Sequence, residues 1–104
     1  MKTSLRALIG AVALCTGTLA AAQNVQVFGL VELSGTGATS GSNFDNGVKL
    51  AVKEINAAGG ILGRKINYVS MDTQSNPGVA KALAQKVVDQ NAYVVMGPVF
   101  SGSI

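Results

Sequence analysis

The sequence has no histidine and no tryptophan, a single cysteine, and only 12% charged residues among its 104. Histidine and cysteine are the residues that most often serve as general base, nucleophile or metal ligand, so the usual components of catalytic and metal sites are scarce. The acidic residues are scattered, and we expect four of them at helix or loop surfaces: Asp45, Glu54, Asp72 and Asp89. We therefore predict a protein that is not an enzyme and that uses no metal ion or other cofactor.

Basic charge is also scarce once the amino-terminal segment is set aside. The net charge is +3, but Lys2 and Arg6 open a segment that is typical of a signal peptide, with a short apolar run and small residues at its end. We place the cleavage after Ala22, with Ala21 as the alternative. The rest of the chain, 23–104, has six basic and five acidic residues. We expect no nucleic-acid partner, because no basic stripe is left to contact phosphates.

The single cysteine, Cys15, tests whether residues 1–22 are instead a lipoprotein signal. Such a signal has a small residue directly before its cysteine, whereas the residue here is Leu14. We therefore interpret Cys15 as one more apolar residue of the signal core. The mature chain then has no thiol, no disulfide and no stable membrane anchor, and we expect it in the periplasm or otherwise outside the cytoplasmic membrane.

Strand and helix patterns alternate from residue 23 onward. Three short segments predict β-strands, at 25–31, 66–71 and 93–96, and the first and third have the continuous apolar character of buried strands. Apolar residues recur at helical spacing over 44–58 and 79–90. The alternation predicts an α/β fold with a doubly wound parallel sheet.

Local signals mark the ends of the two predicted helices. Ser42 or Asn43 can cap the first helix, and Gly59 with its following glycine can end it. Asn76 can cap the second helix, because Pro77 then takes the first helical position, where a missing N–H costs nothing.

The predicted topology gives the loops a role. In the common strand order 2-1-3, the first and third strands are neighbours, and their carboxyl ends frame a crevice where ligands usually bind. The loops 32–43 and 97–103 lead into it, and both are small, polar and rich in glycine. Each should open a helix, whose free N–H groups suit a carboxylate or another anion. Ser101 is our candidate for the binding hydroxyl, although the same geometry also fits a simple helix cap.

A nucleotide site is disfavoured. Gly35, Gly37 and Gly41 do not follow the G-x-G-x-x-G spacing, and the lysine of a phosphate-binding P-loop is absent. Asp72 lies too far along the chain to bind a ribose, and we expect it to be a turn or cap carboxylate.

Several stretches resemble one protein family, in the order in which that family has them. They are "LSG" after the first strand, "GVKLAVKEINAAGGILGRKI" at 47–66, then "MDTQSNP" and "VVMGPVFSGS". They are similar to the type I periplasmic solute-binding proteins, specifically to the branched-chain amino-acid (leucine/isoleucine/valine) binding group of ABC transporters. The resemblance covers essentially all of 23–104. It implies the amino-terminal part of the first of two lobes, which close around a solute and engage a membrane permease.

The resemblance also implies roles for the turn after the third strand. Ser101 would hold the α-carboxylate of an amino acid with its hydroxyl and backbone N–H, and Phe100 would border the side chain of the ligand. Gly102 and Ser103 belong to the same turn and are further candidates for contact with the ligand.

The loop after the first strand would line the pocket from the other side. Ser34 and Ser40 are its candidate binding residues. Ser40 stands where leucine-type members have an aromatic residue, and Phe100 is bulkier than the residue sometimes found at its position. The sequence therefore leaves open which amino acid or related solute is bound.

The resemblance implies that the chain ends inside the first lobe, so we expect a truncated gene product or an incomplete sequence. One face of the sheet would then lack cover, and the fragment alone would fold poorly and bind weakly or not at all. Two functions fit a complete protein of this kind. The first is the extracytoplasmic solute-binding component of an ABC transporter, and the second is a ligand-sensing extracellular domain of a receptor, which would continue into a transmembrane helix.

Overall fold

The computed structural model of the chain describes residues 23–103, so the expected signal peptide lies outside the described residues. Strands and helices alternate in the order β1 Val25–Val31, α1 Ala38–Ala57, β2 Ile66–Asp72, α2 Pro77–Asp89 and β3 Val94–Met96, followed by one 3₁₀ turn, Ser101–Ser103.

The three strands form one parallel sheet in the order β2-β1-β3. In the register, Gly29 of β1 lies opposite Ser70 of β2 and Met96 of β3. The α/β fold and the strand order 2-1-3 are thus confirmed. Because parallel strands all run the same way, the carboxyl ends of β1 and β3 meet side by side.

The central strand β1 supplies most of the core. Phe28 and Leu30 are buried and form a cluster with Val87 of α2, and Met71, Leu83, Ala84 and Ala92 pack against it. Val27, on the opposite face of β1 from Phe28, lines a groove against α1. Side chains alternate between the two faces of a strand, so the two helices cover opposite faces of the sheet.

Helix α1 begins at Ala38, six residues before the predicted start at residue 44. The predicted caps Ser42 and Asn43 are wrong, because both lie inside α1, and its N-cap is Gly37 without a side-chain cap. A close contact explains the early start. A Cβ at Gly41 would overlap the carbonyl group of Glu32, so the first turn of α1 packs directly on the end of β1. This tertiary contact overrides the loop-like composition of the segment.

The other predicted helix ends are confirmed. Helix α1 is followed by Gly59, which has a positive φ of 108°. Asn76 caps α2 with its side-chain oxygen, which accepts the backbone N–H groups of Gly78 and Val79, and Pro77 is the first helical residue.

The expectation that Asp45 lies at the surface is wrong. Asp45 is only 2% exposed, because it shares the inward face of α1 with Val48. It accepts the Tyr68 hydroxyl at 2.8 Å and the Ser70 hydroxyl at 2.6 Å, both from β2. It also pairs with Lys49 at 2.8 Å. A polar cluster therefore joins α1 to β2.

The prediction of a buried third strand is also wrong. Strand β3 pairs only with β1 among the described residues, and Val94 and Val95 are 43% and 39% exposed. Helix α1 packs on β1 and β2, and α2 packs on β1. The strand is apolar, but it lies at the edge of the described sheet and is poorly covered.

Candidate ligand-binding crevice

The loop after β1 and the turn after β3 lie against each other. The backbone N–H of Val99 donates to Oε2 of Glu32 at 3.2 Å. A Cβ built on Gly37, at the start of α1, would come within 3.2 Å of the Cβ of Phe100. We call the region between the loop 32–41 and the turn 97–103 the crevice. Both segments follow the carboxyl ends of their strands, β1 and β3.

Gly97 lets the turn leave β3 close to β1. Its φ is 96°, in the region that favours glycine, and a Cβ at this position would overlap the carbonyl oxygen of Leu30. No other residue combines this conformation with this approach without strain. The path of residues 97–103 is thus fixed from its first residue.

The turn itself presents three predicted site residues at the surface. Ser101 and Gly102 are exposed, and Phe100 is 36% exposed. The backbone N–H of Ser103 donates to the carbonyl oxygen of Phe100 at 2.9 Å and closes the 3₁₀ turn. The hydroxyl and the N–H of Ser101 therefore lie at the start of a three-residue 3₁₀ turn.

Ser103 lies apart from the exposed part of the turn. It is buried, and its hydroxyl oxygen has no hydrogen-bond partner in the described part of the chain. It lines a cavity with Leu30 and with Pro77, Ala80 and Ala84 of α2. Ser103 thus contacts the α2 side of the sheet, whereas Phe100 lies beside the start of α1.

Ser34 is held by the end of β2. Its hydroxyl donates to Oδ2 of Asp72 at 2.7 Å, so only its lone pairs are free to face a ligand. The second carboxylate oxygen of Asp72 accepts the N–H groups of Leu33, Ser34 and Gln74. The prediction of a turn carboxylate at Asp72 is confirmed.

The pKa of Asp72 reflects these contacts. Burial raises the pKa of Asp72, but the hydrogen bonds from Ser34, Gln74 and Leu33 lower it by more than burial raises it. The pKa therefore lies below its usual value. The carboxylate is therefore ionised at neutral pH and fixes the loop after β1 by charge-assisted hydrogen bonds.

Ser75 completes the attachment of this loop. Its hydroxyl donates to the carbonyl oxygen of Ser34 at 2.8 Å and accepts the N–H of Gly37 at 2.9 Å. Ser40 lies beyond this network, exposed in the first turn of α1. The β1 side of the crevice is thus formed by a loop that Asp72 and Ser75 hold by hydrogen bonds.

Neither Glu32 nor Ser75 stands out in the sequence. Glu32 follows β1 in a polar stretch, yet it is fully buried. Its position directly after a buried strand was the one available signal. Ser75 lies in the turn before α2, where a serine is common for local reasons, and only the folded structure brings it to Gly37.

Residues 23–103 contain no group of three or more His, Cys, Asp or Glu side chains that could hold a metal ion. No helix in the same range is long and apolar enough to cross a membrane.

A parallel α/β sheet with helices on both faces and loops paired at its carboxyl edge is a doubly wound fold, in which ligands usually bind at that edge. The family model described as periplasmic binding protein matches residues 24–104. The chain therefore belongs to the periplasmic binding protein family.

Individual relatives agree with this assignment. The chain is 36% identical over 96 residues to the Leu/Ile/Val-binding protein of Escherichia coli (strain K12), and the match covers 92% of this chain and 26% of that protein. It is 38% identical over 85 residues to the chemotactic signal transduction system substrate-binding protein BasB of Halobacterium salinarum, covering 79% and 21%.

A solved structure gives the same result. The branched-chain amino acid transporter substrate binding protein LivJ from Streptococcus pneumoniae, in complex with isoleucine, superimposes with a TM-score of 0.75 at 36% identity. The superposition covers 77% of this chain and 23% of LivJ. The chain thus spans about a quarter of the length of the curated relatives it matches.

Proposed function

We propose that the complete protein is the extracytoplasmic solute-binding component of an ABC transporter and captures a branched-chain or related amino acid. The observation that carries the proposal is the exposed Ser101 turn at the crevice, in a chain 36% identical to an isoleucine-bound binding protein. In this proposal the protein makes no covalent change to its ligand. It delivers the amino acid to a membrane permease.

Five of the six predicted site residues have a role in the proposal, and Ser103, which is buried on the α2 side of the sheet, has none. Ser101 binds the α-carboxylate through its hydroxyl and N–H, and Gly102 allows the ligand to approach the turn. Phe100 contacts the ligand side chain. Ser34 and Ser40 line the opposite wall, where the lone pairs of Ser34 remain available.

The location of the protein is part of the same proposal. Residues 1–22 act as a signal peptide, and the mature protein works in the periplasm or its equivalent. The relation to periplasmic binding proteins supports this.

A second function has one specific observation in its favour. The relative BasB is described as a substrate-binding protein of a chemotactic signal transduction system. The complete protein could therefore report a solute to a sensory system. Loss of amino-acid uptake in a deletion strain, with chemotaxis intact, would support transport, and the opposite pattern would support sensing.

The proposal is tested by changing Ser101 in the complete mature protein. Ser101→Ala removes the proposed hydroxyl donor, and we expect amino-acid binding to weaken by about 1 to 3 kcal/mol in isothermal titration calorimetry. Ser42→Ala, within α1 and outside the crevice, is the matched control and should leave binding unchanged. Equal affinities for the two variants would remove Ser101 from the site.

A further inference from the structure

Glu32 is a costly residue at its position. It directly follows β1 and is 0% exposed, and its Oε1 has no hydrogen-bond partner within the described residues. Burying a carboxylate oxygen without a partner is unfavourable, and a leucine would fill a similar volume without this cost. Packing alone therefore does not account for a glutamate here.

The other carboxylate oxygen makes a specific contact. Oε2 of Glu32 accepts the backbone N–H of Val99 at 3.2 Å. Val99 lies in the turn after β3, two residues before Ser101. The contact thus joins the end of β1 directly to the turn that carries the proposed carboxylate-binding group.

The surroundings of Glu32 hold its side chain in place. The first turn of α1 packs on its backbone at Gly41. A Cβ on Gly37 would lie 3.1 Å from the Cγ of Glu32, so the start of α1 also lies against the side chain. Glu32 is therefore packed between the end of β1 and the start of α1, with Oε2 as the acceptor for the N–H of Val99.

We propose that Glu32 is a positioning residue for the Ser101 turn. Its carboxylate holds Val99, and so presents the hydroxyl and N–H of Ser101 to the crevice before a solute arrives. Because the turn is ordered in advance, less binding free energy is lost in ordering it. Glu32 itself is buried and acts through the turn. This inference rests on the proposed function, since the benefit is measured as affinity.

Three variants of the complete protein test this role. Glu32→Gln keeps the volume and an acceptor oxygen, whereas Glu32→Leu keeps only the volume. Thr73→Val is the matched control, because Thr73 is equally buried after β2 and its hydroxyl also has no partner among the described residues. Calorimetry should give about tenfold weaker amino-acid binding for Glu32→Leu. Glu32→Gln should restore binding to within about threefold of wild type, and Thr73→Val should match wild type.

Amide hydrogen exchange provides a readout that needs no ligand. The N–H of Val99 should exchange about ten times faster in Glu32→Leu than in wild type, because its acceptor is gone. Glu32→Gln should restore slow exchange, and Thr73→Val should not alter it. Thermal unfolding of the ligand-free variants shows whether any loss of affinity is a general loss of stability.

The outcomes separate this inference from the proposed function. Unchanged Val99 exchange in Glu32→Leu overturns the inference, whatever the affinities are. Equal loss of binding in Glu32→Gln and Glu32→Leu also overturns it, because the acceptor would then not be what matters. If wild type binds no amino acid while Val99 exchange depends on Glu32 as described, the proposed function fails and the positioning contact stands.

Discussion

At the scale of single residues, the buried carboxylate of Asp45 joins α1 to β2. It accepts two hydroxyl groups and pairs with Lys49. Burial raises its pKa, but hydrogen bonds from Lys49, Ser70 and Tyr68 hold the pKa below its usual value. Burial and the bond to Asp45 raise the pKa of Tyr68 to about 12. The pair is therefore a carboxylate and a neutral phenol at neutral pH.

Removal of Asp45 should destabilise the protein more than removal of its ion-pair partner. Asp45→Ala leaves the hydroxyls of Tyr68 and Ser70 without their acceptor, and we expect the free energy of unfolding to fall by about 2 to 4 kcal/mol. Lys49→Ala should cost less than about 1 kcal/mol, because the Lys49 side chain is 57% exposed. Urea unfolding of the complete protein measures both, and equal effects would contradict this assignment of the contact.

The sequence held a signal for the burial of Asp45. Asp45 lies four residues after Gly41 and three before Val48, and all three are buried on one face of α1. A charged residue within a buried helical stripe needs partners, and Tyr68 and Ser70 supply them from one face of β2. The spacing of Asp45 from Val48 is therefore compatible with a buried position, but its hydroxyl partners follow only from the strand register.

At the scale of whole elements, the bounds of β1 can be predicted from the sequence, whereas the start of α1 cannot. The predicted bounds of β1 agree with the observed Val25–Val31, because a continuous apolar run between polar segments has few other interpretations. The first six residues of α1 are small and polar, a composition typical of loops. They become helical because Gly41 packs against Glu32, a contact between segments that no local pattern reveals.

Because Gly41 packs against Glu32 and Gly47 does not, we expect alanine substitutions at these two glycines of α1 to have opposite effects on stability. Gly41→Ala would force a methyl group into the carbonyl of Glu32, so we expect a loss of about 1 to 3 kcal/mol in unfolding free energy. A Cβ on Gly47 meets nothing within 4 Å, so Gly47→Ala should stabilise the protein by about 0.5 to 1 kcal/mol through higher helix propensity.

Both variants are measured by the same chemical unfolding experiment on the complete protein. If Gly41→Ala stabilises as much as Gly47→Ala, α1 does not begin against the end of β1, and the wall of the crevice is misplaced.

At the scale of the whole molecule, the chain corresponds to one part of the periplasmic binding proteins that it matches. Its curated relatives are about four times as long. The exposed Val94 and Val95 of β3 fit this relation, and we expect other parts of the complete protein to cover them. Under the proposed function, the ligand would be bound between this crevice and groups from outside the described residues.

The candidate site was predictable only in part. Strand order and loop composition placed the crevice, and the family resemblance proposed Ser101 and Phe100. Glu32 and Ser75 could not be found in this way, because both act on backbone groups, Val99 N–H and Gly37 N–H, that only the folded chain brings near. Almost every residue has a backbone N–H group, so a side chain that binds one does not require a particular residue type as its partner. Such contacts therefore cannot be recognised in the sequence.

The most direct test of the central claim compares an amino acid with its amide. The complete mature protein is titrated calorimetrically with isoleucine and with isoleucinamide, which differ only in the group that Ser101 is proposed to bind. We expect saturable binding of isoleucine, or of another branched-chain amino acid tested in the same way. The amide should bind about ten to a hundred times more weakly, because a charge-assisted hydrogen bond is lost. Equal affinity for the two, or no binding of any amino acid, would contradict the account.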